Sequence, residues 1–180
     1  MSKYATCVTT ISVSAVLLAM AVTSAYARHV QIVAIGASVY AGYGVGRDSA
    51  FPAILQRDLR RRGYNVTVIN SGVSGDTTTD LLARLNSDVP PGTSLVILGS
   101  PLINDRRRGI SQDTSRANMR EMIRRLHARR MKVINGRIGI LMRGMPRSDL
   151  QPDGIHPTRA GQVYLARRLL PRVMAAIGRR

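Results

Sequence analysis

The chain has 180 residues and carries 27 Lys and Arg against 10 Asp and Glu, a formal net charge of +17. That length predicts one domain with a substantial core, while one cysteine and three histidines support neither a disulfide framework nor a His/Cys metal site. A single Phe and no Trp leave no aromatic platform for stacked bases, so the charge reads as a generally cationic surface rather than a dedicated nucleic-acid groove.

Residues 1–27 read as a secretory signal peptide. Lys3 gives a positive start, residues 11–22 are almost wholly apolar, and Ala25-Tyr26-Ala27 is an A-x-A cleavage pattern. Cleavage is expected after Ala27, giving a periplasmic or secreted domain over residues 28–180. Cys7 lies inside the leader, so the mature chain has no thiol nucleophile.

Residues 30–35 are a short apolar run, the pattern of a buried strand. A glycine-rich stretch from Gly36 to Gly46 follows, with no G-K-[ST] that would cradle a phosphate. It can instead display Ser38 on the turn after the strand. The next helix is expected to take Asp48 or Ser49 as its cap and Pro52 in its first turn. Phe51, Ile54, Leu55 and Leu59 form its apolar stripe, and Gly63 stops it. Residues 64–69 alternate as a second strand and run into a small-residue turn through Gly75. A helix with Leu81, Leu82 and Leu85 comes next, then a third strand over 94–98 and a turn over 99–105 that holds Asn104. A long helix over about 113–129 carries Met119, Met122, Ile123 and Leu126 on one face and arginines on the other; His127 is read as surface. A fourth strand begins at Lys132 and is expected to extend to Ile140. A last helix over 160–170 presents Val163, Ala166, Leu169 and Leu170 and is interrupted near Pro171. Strand, small-residue turn and helix, repeated, predict a three-layer α/β fold with a mostly parallel sheet. Ser38, Gly75 and Asn104 all follow strand ends, and in such sheets that edge carries the functional crevice.

Asp153-Gly154-Ile155-His156-Pro157-Thr158 supplies the histidine placed for chemistry. Pro157 pushes His156 into an extended conformation at the entrance of the last helix. Gly154 lets the loop fold so that the Asp153 carboxylate can meet the ring. An Asp oriented on a His is the rear half of a nucleophile–base–acid relay.

With these residues the sequence resembles the SGNH (GDSL-type) hydrolases, particularly the small exported arylesterase, thioesterase and lysophospholipase-like members. Residues 35–38 look like the family's first block, 70–77 like the second, Asn104-Asp105 like the third and 153–157 like the last. The resemblance implies a flavodoxin-like α/β fold and a monomeric, cofactor-free hydrolase acting on a small ester, thioester or lipid-like substrate. It further implies Ser38 as nucleophile, His156 as base and Asp153 as its orienting acid, with an oxyanion hole made by Ser38, Gly75 and Asn104. Three departures stand out. Ala37 occupies the place of the family's usual Asp, Leu102 that of a glycine expected to aim Asn104, and residues 136–151 are short for a last strand and loop. The alternative reading is a weakened or inactive protein on this fold, binding anionic envelope polymers through its arginine-rich surface. Contact with such polymers or with a membrane surface is expected to be weak and electrostatic, and no specific nucleic-acid partner is expected.

Overall fold

A computed structural model describes residues 28–178; the expected signal peptide lies outside them. Among the described residues no helix is long and apolar enough to cross a membrane. Four strands, β1 (Val30–Gly36), β2 (Val66–Gly72), β3 (Thr93–Leu98) and β4 (Lys132–Asn135), form one parallel sheet in the order β2-β1-β3-β4. The helices between them are α1 (Ser38–Ala41), α2 (Phe51–Arg61), α3 (Thr78–Asp88), α4 (Leu102–Arg107), α5 (Gln112–Ala128), α6 (Ile138–Leu141) and α7 (Arg159–Ile177).

Alternation along the strands sorts the core into two layers. Ile32, Ala34, Leu95 and Ile97 face α2 and α7 on one side, while Val33, Ile35, Val96 and Leu98 face α3 and α5 on the other. β1 and β3 are therefore apolar on both faces, which is why each reads as an unbroken hydrophobic run. This is the three-layer, flavodoxin-like α/β fold expected from the sequence.

Five local expectations are corrected. Neither Asp48 nor Ser49 caps α2, since both lie in a 3-10 turn over Arg47–Ser49 and the cap position is Ala50. The free N–H of Phe51 instead donates to Oε1 of Gln162, a fully buried α7 side chain, at 2.8 Å. β2 runs on to Gly72, because Asn70, Ser71 and Gly72 pair with Ala34, Ile35 and Gly36. The turn holding Asn104 is helical, as α4. β4 stops at Asn135 and does not reach Ile140. There the buried Tyr40 hydroxyl donates to the Gly136 carbonyl at 2.7 Å, and a Cβ on Gly136 would lie 2.0 Å from that oxygen. Residues 136–151 accordingly form α6 and a 3-10 turn (Arg147–Asp149) in place of a further strand. Finally, α7 continues through Pro171 for 19 residues, with Val173 fully buried beyond it. Packing of that last stretch against the sheet outweighs the lost hydrogen bond.

Gln162 also donates from Nε2 to the Val39 carbonyl at 3.1 Å, so one buried amide joins α1, α2 and α7. Gln162→Leu keeps the volume but strands a buried N–H and a buried carbonyl. Thermal denaturation should show a loss of about 2–4 kcal/mol, a fall in Tm of roughly 4–16 °C.

Candidate active site

β1 and β3 are neighbours in the sheet but not consecutive in the chain. The path from β1 leaves to one side through β2 and returns across to β3, and that reversal opens a crevice beyond the carboxyl ends of the strands. Ser38, two residues beyond β1, is the first residue of α1 and half-buried. Asn104, in α4 after β3, faces the same crevice. A cleft of about 340 Å³ there is lined by Ser38, Asn104 and His156 together with apolar side chains of Leu102, Ile138 and Met142.

His156 reaches the cleft from the loop before α7. Asp153 organises that loop almost alone. Its Oδ1 accepts the backbone N–H groups of Ile155 and His156, each at 2.9 Å, and its Oδ2 lies 2.6 Å from His156 Nδ1. Gly154 makes the turn with φ +66°, a conformation that a side chain would oppose. His156 Nε2 is then 2.9 Å from Ser38 Oγ. The His156 backbone N–H, then its ring, then the Ile155 N–H hold the Asp153 carboxyl well below its usual range, at about 2. An ionised carboxylate at Nδ1 requires the proton on that nitrogen, which leaves Nε2 as the acceptor facing the serine.

Two further residues fix the imidazole. The Tyr43 ring lies against it, centroids 4.4 Å apart. Gln151 donates from Nε2 to the Tyr43 carbonyl at 2.7 Å and the Pro157 carbonyl at 2.9 Å, and its own N–H donates to the His156 carbonyl at 2.7 Å. Neither residue carried a signal in its sequence spacing.

The remaining candidate donors lie on α4 and on the loop between β2 and α3. Asn104 Nδ2 donates to the Asp76 carbonyl at 2.7 Å, which fixes the amide and leaves its second hydrogen free. Gly75 precedes Asp76 on that loop with φ +88° and does not itself line the cleft. Asp105, fully buried, accepts from the Thr78 N–H and hydroxyl and from Ser115, so it ties α4 to α3 and α5. Leu102, in the place of the family's glycine, opens α4 without a positive φ and lines the cleft.

Ala37 leaves the serine turn without its usual carboxylate, and Arg84 of α3 fastens that turn instead. Its Nη2 donates to the Gly36 carbonyl at 3.1 Å, its Nε to Asp76 at 2.6 Å and its Nη1 to Ser71 at 2.8 Å and to Asp88. One guanidinium thus braces both the strand end before Ser38 and the residue whose carbonyl anchors Asn104. Among so many arginines, nothing in the sequence marked this one.

Known proteins resemble this chain in sequence and in fold. A family model described as GDSL-like lipase/acylhydrolase matches residues 34–149, which include Ser38, Gly75 and Asn104 and stop short of Asp153 and His156. An arylesterase from Vibrio mimicus is 34% identical over 93 residues, 52% of this chain and 46% of the relative. Esterase TesA from Pseudomonas aeruginosa is 29% identical over 120 residues, 65% of this chain and 58% of the relative. The chain thus spans about half the length of the curated relatives it matches. The crystal structure of TesA superposes with a TM-score of 0.67 at 24% identity, covering 81% of this chain and 99% of that one, a likeness of fold. The chain belongs to the GDSL-like lipase/acylhydrolase family.

Proposed function

We propose that the protein is a serine hydrolase that cleaves carboxylic ester or thioester bonds through an acyl-serine intermediate. The observation that carries the reading is the continuous chain from Asp153 Oδ2 through the His156 ring to Ser38 Oγ, at 2.6 and 2.9 Å. The curated relatives, named arylesterase and esterase, support the ester as substrate class. The leader expected over residues 1–27 would put the reaction in the periplasm or outside the cell.

A serine hydroxyl is a weak nucleophile until a base takes its proton. Ser38 Oγ bonds to the acyl carbon as its proton passes to His156 Nε2, and the carbonyl oxygen becomes an oxyanion. The Ser38 backbone N–H and the free amide hydrogen of Asn104, both at the cleft, are donors to that charge, and the family resemblance adds the Gly75 N–H from the adjoining loop. His156 then returns the proton to the departing alcohol or thiol as the bond to the leaving group breaks. Water, deprotonated by the same nitrogen, attacks the acyl-serine; the acid leaves and Ser38 regains its proton. Asp153 keeps the imidazole in the productive tautomer and stabilises the imidazolium.

Ser38→Ala and His156→Ala should abolish hydrolysis of short activated esters. Asp153→Asn should leave a trace of activity, and Asn104→Ala should lower kcat about 10²–10³-fold with a smaller effect on KM. A fluorophosphonate probe should label Ser38, read by mass spectrometry of the peptide. Mature protein that takes up no label and turns over neither esters nor thioesters would rule the reading out.

The pH profile follows from the Asp153 carboxyl. Its value of about 2 in the fold lies below the usual 3.8, so its contribution is complete above about 3.8 and lost only as pH falls through about 2. Asp153 should therefore contribute no proton to the acid limb of kcat/KM above about pH 4; a second proton in that limb would place Asp153 in it.

Arg84→Gln should lower kcat about tenfold or more with KM little changed, because it loosens donors that act in the transition state. Arg84→Lys, which keeps the charge without the fork, should fall between the two.

A further inference from the structure

The cleft beside Ser38 has an apolar floor and a cationic rim. Leu102, Ile138 and Met142 supply the floor, and Arg106 and Arg107 from α4 and Arg137 from the turn before α6 line it as well. No Asp or Glu lines the cleft. Among the described residues the three guanidinium groups make no ion pair and no side-chain hydrogen bond. Some arginines elsewhere do have acid partners: Arg61 with Asp58, Arg84 with Asp76 and Asp88, Arg124 and Arg125 with Glu121. Nearby carboxylates are already committed, Asp105 to Thr78 and Ser115 and Asp153 to His156.

Three cationic side chains from two elements line one cleft, and an anion bound among them would offset their charge. Guanidinium groups suit a carboxylate or phosphate, to which they donate paired charge-assisted hydrogen bonds. The apolar floor lowers the local dielectric and strengthens that attraction over one on open surface. We propose that the cleft selects esters bearing a carboxylate or phosphate group, held by Arg106, Arg107 and Arg137 while the apolar part of the substrate rests on the floor.

The inference rests on the hydrolase reading, and the experiment separates the two. Two ester pairs place the charge on either half of the substrate: para-acetoxybenzoate against its methyl ester, and the mono-para-nitrophenyl ester of adipic acid against para-nitrophenyl hexanoate. In at least one pair the anionic member should have the higher kcat/KM once each rate is divided by its hydroxide-catalysed rate. That ratio should fall at least about tenfold in the Arg106→Gln/Arg107→Gln/Arg137→Gln variant and should fall with rising salt in the parent protein. Because the ratio is taken within one preparation, partial misfolding of the variant cancels. Calorimetry with benzoate and with phenyl phosphate, which needs no turnover, tells carboxylate from phosphate; binding should be seen with at least one and be lost in the variant. Turnover with no anionic preference in either pair, or a ratio unchanged in the variant, overturns the proposal and leaves the hydrolase reading intact. Anion binding lost in the variant without turnover of any ester upholds the anion site and removes the hydrolase reading. Absence of both anionic preference and binding removes the proposal altogether.

Discussion

The carboxyl end of β1 is the fixed point of this molecule. β1 is hydrogen-bonded on both sides, to β2 from Val30 through Gly36 and to β3 from Gln31 through Ile35. Ile32, Val33, Ala34 and Ile35 have no exposed surface. A strand held along both edges and both faces has no freedom to shift register, because a one-residue slip would exchange its two apolar faces and leave its bonds unmatched. Ser38 emerges two residues later, at the place where the order of strands reverses. The crevice is thus a consequence of topology, and the serine inherits the rigidity of the most buried strand.

Charge supply is the second constraint. Ten acids face 27 bases, so a carboxylate in this chain is a scarce partner, and four of the acids sit at joints. Asp76 and Asp88 meet at Arg84; Asp105 joins three helices; Asp153 shapes the loop of His156. Losing the carboxylate before Ser38 would be costly were the turn held by nothing else. Here an arginine on α3 reaches the carbonyl of Gly36, so a basic group does from the neighbouring helix what the family usually does with an acid from within the turn.

The parts of the molecule legible in the sequence are those encoded by local pattern. Buried strands showed as apolar runs, helices as stripes, and the Asp153–His156 loop as a carboxylate, a glycine and a proline at short spacing. All four strands and the face of α2 with Phe51, Ile54, Leu55 and Leu59 were found this way. What escaped depends on distant partners. The start of α2 is capped by a glutamine 111 residues away in the chain, where the nearby Asp48 and Ser49 offered an equally good local cap. The end of β4 is set by the Tyr40 hydroxyl, 96 residues away. Pro171 argued for a break in α7, and only the burial of Val173 beyond it explains why the helix goes on. Arg84 and Gln151 act through geometry that arginine and glutamine composition could not reveal.

The separation of Ser38 and His156 by 118 residues raises the question of what sets their distance. The rear half of the proposed relay is self-contained, since Asp153 fixes both the backbone and the ring of His156. That loop is pinned at both ends: the Thr158 N–H donates to the Asp149 carbonyl at 2.8 Å, and the Gln151 N–H to that of His156 at 2.7 Å. It therefore moves as a unit with the start of α7. Gln162, one turn into α7, grips the carbonyl of Val39, the residue next to Ser38, and the first N–H of α2. Ser38 and His156 are consequently held in register by two amides, Gln162 between α1, α2 and α7 and Gln151 between the Tyr43 and Pro157 carbonyls. A site assembled this way keeps the Ser38–His156 approach independent of the arginines that line its mouth, because neither amide belongs to the cleft lining.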